Sequence, residues 1–301
     1  LYSSDELVAD PERVVQLGPP ENPYIKSVGE LFDEMALSQS ELGELFEYSK
    51  SKNLVPFATP FSEKGVDTLG ELGVPLLKIA ASDVVNLPLL RKAASLGVPI
   101  ILSIGKCTLA EADEAVQCLK SNGVEDLALL HCISAYPSPM DEMNLRIIPV
   151  LKQLYPDCVI GFSDHSLGLT APIAAVALGA RIVEKHVTEN QDDPGPDHWY
   201  SLEFNQLGNL VQALKDAQLT LGSTERRIFA CETGGRAKAV SSLFTARDLP
   251  VGTILTRSDI KISRPGRGLS PKYLETLIGM EVKVPLDRAT PLGWEHFKAD
   301  H

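Results

Sequence analysis

Gly161–Thr188 reads GFSDHSLGLTAPIAAVALGARIVEKHVT. Val159 to Ser163 is a short apolar run ending in polar residues. Leu169 to Leu178 is small and apolar, bounded by Gly168 and Gly179, and Arg181 to Val187 is a second β-rich run. The pattern predicts one strand–helix–strand unit with short connections. Side chains alternate along a strand. Ser163 and His165 therefore share a face, as do Glu184 and His186 on the next strand, while Lys185 points the other way. The two histidines are 21 positions apart, a distance one helix and its turns span. Parallel strands put both at the same C-terminal edge. Two imidazoles there can hold a divalent metal and leave positions open for water or substrate. The residues alone equally allow two unrelated polar side chains at strand ends, because no motif fixes a third ligand.

The same alternation extends outward. Leu54 to Ala58, Leu76 to Ala80, Pro99 to Ser103 and Leu127 to Ile133 read as strands. Ser62 to Leu72, Leu87 to Leu96, Leu109 to Ser121 and Leu145 to Leu154 read as helices, and a long helix, Glu203 to Leu221, follows the quoted unit. Six β/α repeats predict a parallel sheet with helices outside. No G-x-G-x-x-G follows any strand, which removes a dinucleotide site. Polar residues recur at strand ends: Thr59, Ser82, Ser103, Ser134, His165 and His186. In a (β/α)8 barrel these converge on one mouth. Ahead of the repeats, Leu1 to Ser38 is polar and proline-rich and reads as a loop with a short helix near Val28 to Glu34. Ser38 and Ser40 are placed to cap a helix from about Gln39 to Ser51.

Residues 222–238, GSTERRIFACETGGRAK, are charged, contain Gly234-Gly235 and read as a linker between a domain at 1–221 and one at 239–301. The latter has short runs separated by turns, as in a small β-rich module. Across the chain 28 Lys and Arg oppose 40 Asp and Glu, a net charge of −12. That argues against nucleic acid or an anionic membrane as partner. The five cysteines are scattered without a C-x-x-C pair, as expected of free thiols in a reducing cytoplasm. No apolar run reaches membrane-spanning length, and no signal-peptide pattern opens the chain.

Several ordered motifs resemble the sialic acid synthase family, whose members have similar runs of the form G-[YF]-S-D-H, A-A-V-A-L-G-A, E-[KR]-H and G-P-D-H. Asp193-Pro-Gly-Pro-Asp-His198 and Ser201-Leu-Glu203 continue the match, and Arg247 to Gly268, RDLPVGTILTRSDIKISRPGRG, is similar to the antifreeze-protein-like (SAF) domain that follows the family's barrel. The resemblance implies a TIM-type barrel and a transferase that condenses phosphoenolpyruvate with N-acetylmannosamine, its 6-phosphate or a diacetamido sugar. A nine-carbon keto sugar acid and phosphate would result. His165 and His186 would bind Mn2+ or Mg2+. Lys78, Ser82, Ser103 and Ser163 would contact phosphoenolpyruvate, and Ser134 and Arg264 the sugar, with Asp197 and Tyr136 the catalytic residues beside it. Arg264 would act from the other subunit of a domain-swapped homodimer.

Each role has a plainer counterpart. Lys78 can be a buried lysine paired with Glu184, Asp197 a turn residue after Pro196, and Arg264 a surface arginine competing with Arg267. His131 has the parity opposite to Ser134 and Tyr136 and reads as structural. The chain also departs from the family. Where members show K-I-[AG]-S-G-[DE], this sequence has Lys78-Ile-Ala-Ala-Ser-Asp83, which displaces the phosphate serine from Ala81 to Ser82. In ILSIGK, Ile104 and Lys106 replace the threonine and methionine of I-L-S-T-G-M. Lys106 is either an added anion contact or a surface lysine. The family's opening strands, at least roughly 30 residues, have no counterpart here. The expectation is a fragment lacking two barrel strands and weakly active alone. The alternative is a truncated, non-catalytic homologue that binds metal or sugar acid, or pairs with a full-length partner.

Overall fold

The computed structural model describes residues 4–298, which divide into two compact units between Gly222 and Ser223. The first is mixed α/β. Strands β3 (Leu77–Ile79), β4 (Ile100–Ile104), β5 (Leu127–Cys132), β6 (Val159–Asp164) and β7 (Val183–Lys185) form one parallel sheet in sequential order. Helices α3 (Glu63–Glu71), α4 (Leu87–Ala94), α5 (Leu109–Ser121), α6 (Ile147–Leu154), α7 (Thr170–Ala177) and α8 (Phe204–Leu221) alternate with them. Sequential order with a helix at each crossover is the arrangement of one arc of a β/α barrel.

The registers assign the two faces. Ile79 pairs with Leu102, Leu102 with Leu129 and Leu129 with Ile160. This row is buried and joins Leu90, Leu119 and Ile148 of the helices in the main core. The opposite face carries Lys78, Ser103, Leu130, Cys132, Ser163 and Glu184 by the same registers. A Cβ at Gly161 would overlap the Leu130 side chain and crowd the Ile182 carbonyl. Only glycine lets Leu130 fill the sheet's concave side there.

Three expectations are corrected. Residues 54–58 are not a strand: one bond, Lys78 N–H to the Ala58 carbonyl at 3.3 Å, ties them to β3. Pro56 has no N–H to give a ladder. Five strands rather than six therefore make the sheet among the described residues. The segment expected as a loop contains an antiparallel hairpin, β1 (Val14–Leu17) with β2 (Tyr24–Ser27), before α1 (Val28–Met35) and α2 (Gln39–Ser51). Its strands are four residues long and its connection is GPPENP, so there is little period for a sequence reading to detect. The run Arg181–Val187 breaks at His186, after which β8 (Val187–Thr188) pairs with β9 (Leu202–Glu203). Of the two serines placed to cap α2, Ser38 is the cap, in a capping box with Glu41, and Thr108 with Glu111 starts α5 in the same way.

The second unit has its own core, including Leu243, Leu249, Leu277, Val282 and Leu292, all at most 1% exposed. Strands β10 (Ser242–Thr245) and β11 (Ile260–Ser263) pair antiparallel. Elsewhere in this unit the pairing is by single bridges, among them Ile254 with Glu281 and Val282 with Phe297. Within the stretch expected as a linker, Ala230–Ala239 is a helix, α9, started by the Phe229 N–H donating to the Glu232 carboxylate at 3.0 Å. Alanine, arginine and lysine around Gly234-Gly235 favour it. Among the described residues no helix is long and apolar enough to cross a membrane.

Candidate active site

Polar side chains on the concave face of the sheet collect at the C-terminal ends of the strands. Ser163 pairs in register with Glu184, and its hydroxyl donates to Glu184 Oε1 at 2.6 Å. Lys78 Nζ lies 3.4 Å from Glu184 Oε2, with the lysine side chain 8% exposed. Both counterparts of Lys78 are thus on one face: it is paired with Glu184, and that pair forms part of the polar floor. Ser103, in the neighbouring strand, is buried and its Oγ has no hydrogen-bond partner. Buried hydroxyls nearly always have one.

Above this floor stand the two histidines, ring centroids 5.2 Å apart. His165 Nδ1 is 3.0 Å from the Ile133 carbonyl. A carbonyl only accepts, so Nδ1 carries the proton and Nε2 is left with a lone pair. Burial lowers the His165 pKa below the ordinary imidazole value and favours that neutral form. His186 Nδ1 is 3.4 Å from the Tyr200 hydroxyl and 3.6 Å from Asp197 Oδ2. The ring of Tyr136 lies 4.4 Å from His165 and 5.8 Å from Tyr200. Burial, with the Asp197 charge, raises the pKa of the Tyr200 phenol. Tyr200 is therefore a hydrogen-bond donor near neutral pH. Two imidazoles with open positions fit a divalent cation that takes further ligands from water or substrate. Among the described residues no cluster of three His, Cys, Asp or Glu is arranged around a single point.

A second layer holds the pair. Asp164 and Lys185 are on the helix-packed face, paired in register, with Lys185 Nζ 2.7 Å from Asp164 Oδ2. Asp164 Oδ1 also accepts from the Ser166 amide at 2.9 Å and hydroxyl at 2.7 Å. His131 is on that face too, its Nε2 2.8 Å from the Met143 carbonyl and its ring stacked on Phe162.

The remaining predicted residues are dispersed. Ser134 Oγ is 3.3 Å from Cys132 Sγ, just beyond β5. Ser82 sits in the turn Ala81–Asp83, donates to its neighbour Asp83 at 3.0 Å, and faces a cavity of about 760 Å³ that Arg13 and Lys106 also line. Arg264 follows β11 in the second unit, exposed and without a hydrogen bond or ion pair among the described residues. Sequence reasoning assigned no site role to Glu184, Tyr200, Cys132 or the Asp164–Lys185 pair. The alternation that put Glu184 on the face of His186 was the signal for the first. Nothing local marked Tyr200, which a one-turn helix, His198–Tyr200, brings back over His186.

The chain matches the NeuB family over residues 1–226 and the SAF domain over residues 240–298. It is 35% identical over 274 residues to the N,N'-diacetyllegionaminic acid synthase of Legionella pneumophila, covering 90% of this chain and 77% of that protein. It is 36% identical over 263 residues to the pseudaminic acid synthase of Helicobacter pylori, covering 87% and 77%. A crystal structure of the N-acetylneuraminic acid (sialic acid) synthetase from Leptospira borgpetersenii superposes with a TM-score of 0.66 at 37% identity, over 69% of this chain and 72% of that one. A family match over residues 1–226 of 301, with two synthases above 30% identity, establishes that the chain belongs to the NeuB family and ends in a SAF domain.

Proposed function

We propose that the chain is a synthase that condenses phosphoenolpyruvate with an N-acyl amino sugar to a nine-carbon keto sugar acid, releasing phosphate. The observation that carries the reading is the polar floor: Ser103 Oγ buried without a partner, on the same face as Lys78, Ser163 and Glu184. A phosphorylated carboxylic acid needs cations and hydroxyl donors together. Lys78, Ser103 and Ser163 supply them. Ser163 can turn from Glu184 to an incoming phosphate oxygen.

In the overall reaction a bond forms between the methylene carbon of phosphoenolpyruvate and the sugar's aldehyde carbon, and the aldehyde oxygen takes a proton. Water adds at the enol carbon and phosphate departs, leaving the ketone. Asp197, partly exposed and beside His186, is placed to take the proton from that water or to hold a sugar hydroxyl. Tyr136 offers a ring face to the sugar. Ser134 is near enough to share its hydroxyls. His165 and His186 would hold Mn2+ or Mg2+, which when bound supplies Lewis-acid polarisation of the aldehyde.

The far end of the sugar has a second neighbourhood. A cavity of about 460 Å³ is lined by Glu21, Asn22, Tyr24, Asp192, Asp193 and Trp199, among others, with no lysine or arginine among its described lining. Trp199 meets Tyr200 edge-on at 5.9 Å, which links the cavity to the imidazole pair. Carboxylates and an amide accept sugar hydroxyls, and a tryptophan face stacks on a pyranose or its open chain. A phosphate there would meet like charges. The reading is therefore a neutral amino sugar rather than a sugar 6-phosphate. The floor also favours a synthase over a homologue that only binds metal or sugar acid, which needs no phosphate cradle.

Incubation with phosphoenolpyruvate, Mn2+ and N-acetylmannosamine, a diacetamido sugar or N-acetylmannosamine 6-phosphate, read by mass spectrometry, tests both levels. A nine-carbon acid from a neutral sugar is expected. Product from the 6-phosphate alone would reverse the sugar assignment. No product from any sugar with a folded chain would contradict the synthase.

A further inference from the structure

We propose that Lys106 is an anion-binding residue of this site and contacts phosphoenolpyruvate at the end of the mouth formed by β3 and β4. The inference rests on the synthase reading above, and its first support is charge. Phosphoenolpyruvate brings a carboxylate and a phosphate, roughly three negative charges near neutral pH. The buried cation on the floor, Lys78, is already faced by Glu184 at 3.4 Å, and Lys185 is engaged by Asp164 at 2.7 Å. Lys106 is exposed and has no hydrogen bond or ion pair among the described residues. It stands three residues beyond Ser103, at the C-terminal end of the strand that carries the unpartnered hydroxyl.

The second support is direction. Lys106 Nζ lies 5.9 Å from the centroid of the Tyr136 ring, and that ring lies 4.4 Å from His165. The ammonium is solvent-exposed but lies within cation–π reach of the ring that packs against His165. The backbone contributes. Lys106 has φ +52°, in the left-handed region that disfavours residues with a Cβ. Gly105 before it is equally constrained: a Cβ there would come within 2.8 Å of the Cys132 carbonyl and of Ser134 Oγ. The turn after β4 is thus wedged against the end of β5, and this aims the lysine stem. A non-glycine residue at such an angle is a recognised mark of functional sites.

The third support is the neighbour it shares. Ser82, the hydroxyl displaced by one position after β3, lines the same cavity as Lys106, together with Arg13 and one carboxylate, Asp10. The body of that cavity is apolar, so the anion-binding part is its rim. Lys106 replaces through charge what the shifted serine gives up. It is a substrate-contacting residue specified by this chain's own departures.

The test is a calorimetric titration of the full chain with phosphoenolpyruvate in the absence of sugar. Lys106→Met keeps the stem and the backbone demand but removes the charge. It is expected to weaken phosphoenolpyruvate binding about tenfold. Lys106→Arg is expected to stay within about threefold of the parent, and Lys120→Met, at the far end of α5, to leave it unchanged. Melting temperatures for all three should match the parent. Equal affinity of Lys106→Met and the parent would overturn the proposal and leave the synthase reading intact. An equal loss in Lys120→Met would overturn it as well, by assigning the effect to overall charge. A parent chain that binds no phosphoenolpyruvate would overturn both readings.

Discussion

Lys185 Nζ is 2.7 Å from Asp164 Oδ2, with side chains 5% and 0% exposed, and each residue directly precedes one of the two site histidines. The ion pair spans β6 and β7 on the face away from the mouth. Lys185 also donates to the Ser166 carbonyl at 2.7 Å. The pair therefore fixes the spacing of His165 and His186 from behind.

Removing one partner strands the other charge in the core. Lys185→Met should cost about 3–5 kcal/mol of stability, read by urea denaturation of the full chain. Asp164→Asn, which keeps the shape and part of the Ser166 bonding, should cost less. A Lys185→Met chain as stable as the parent would show that the pair does not hold the strand ends.

Ser103 makes the opposite prediction. Its hydroxyl is buried with no partner, so deleting it removes an uncompensated polar group. Ser103→Ala should leave stability unchanged or raise it by up to about 1 kcal/mol. Phosphate release from phosphoenolpyruvate should fall about tenfold or more. A loss of stability with intact activity would make Ser103 a structural residue.

The pH dependence follows from two buried imidazoles. Burial lowers the pKa of both His131 and His165. Below the ordinary imidazole value, about 6.5, the unfolded chain binds protons that these rings refuse in the fold. Stability must therefore fall as pH drops from about 6.5 toward the lower folded values, and these groups add no slope above that window. Denaturation at pH 7.0 and 5.5 should show the fall, with a smaller one in His131→Asn after correction for its lower starting stability. An identical slope in that variant would remove His131 from the account.

Arg264 is the predicted residue whose role depends on a second copy. In the domain-swapped homodimer that the family resemblance implies, one chain's Arg264 would serve the partner's sugar site. Arg264→Ala and His186→Ala should each be inactive alone, yet recover about a quarter of parental activity when unfolded and refolded together, because random pairing gives half mixed dimers, each with one intact site. No recovery would place the arginine on its own chain's site or outside the chemistry.

Most of the sheet and the placement of its polar side chains was legible because strands of apolar residues end in polar ones. The two-residue period put Ser163, Glu184 and the histidines on one face; the register pairs Ser163 with Glu184, and the two imidazoles lie 5.2 Å apart just past the strand ends. What was not legible depended on pairing rather than pattern. Residues 54–58 look like a strand, but Pro56 and the lack of a ladder leave them unpaired. The hairpin of Val14–Leu17 and Tyr24–Ser27 is too short and too exposed to show a period. Tyr200 reaches the site through a single turn after Asp197, a placement no spacing rule gives. Ser82 shows the limit of motif transfer: shifted by one residue, its hydroxyl donates to Asp83 and lines the cavity shared with Arg13 and Lys106.

The central claim is that the floor and the imidazole pair together condense phosphoenolpyruvate with an amino sugar. The most direct test is phosphate release from phosphoenolpyruvate by the purified, folded chain with N-acetylmannosamine and Mn2+, with and without chelator. Release that depends on the sugar, stops with chelator and is lost in His186→Ala is the predicted result. Sugar-independent release, or none from a folded chain, would contradict it.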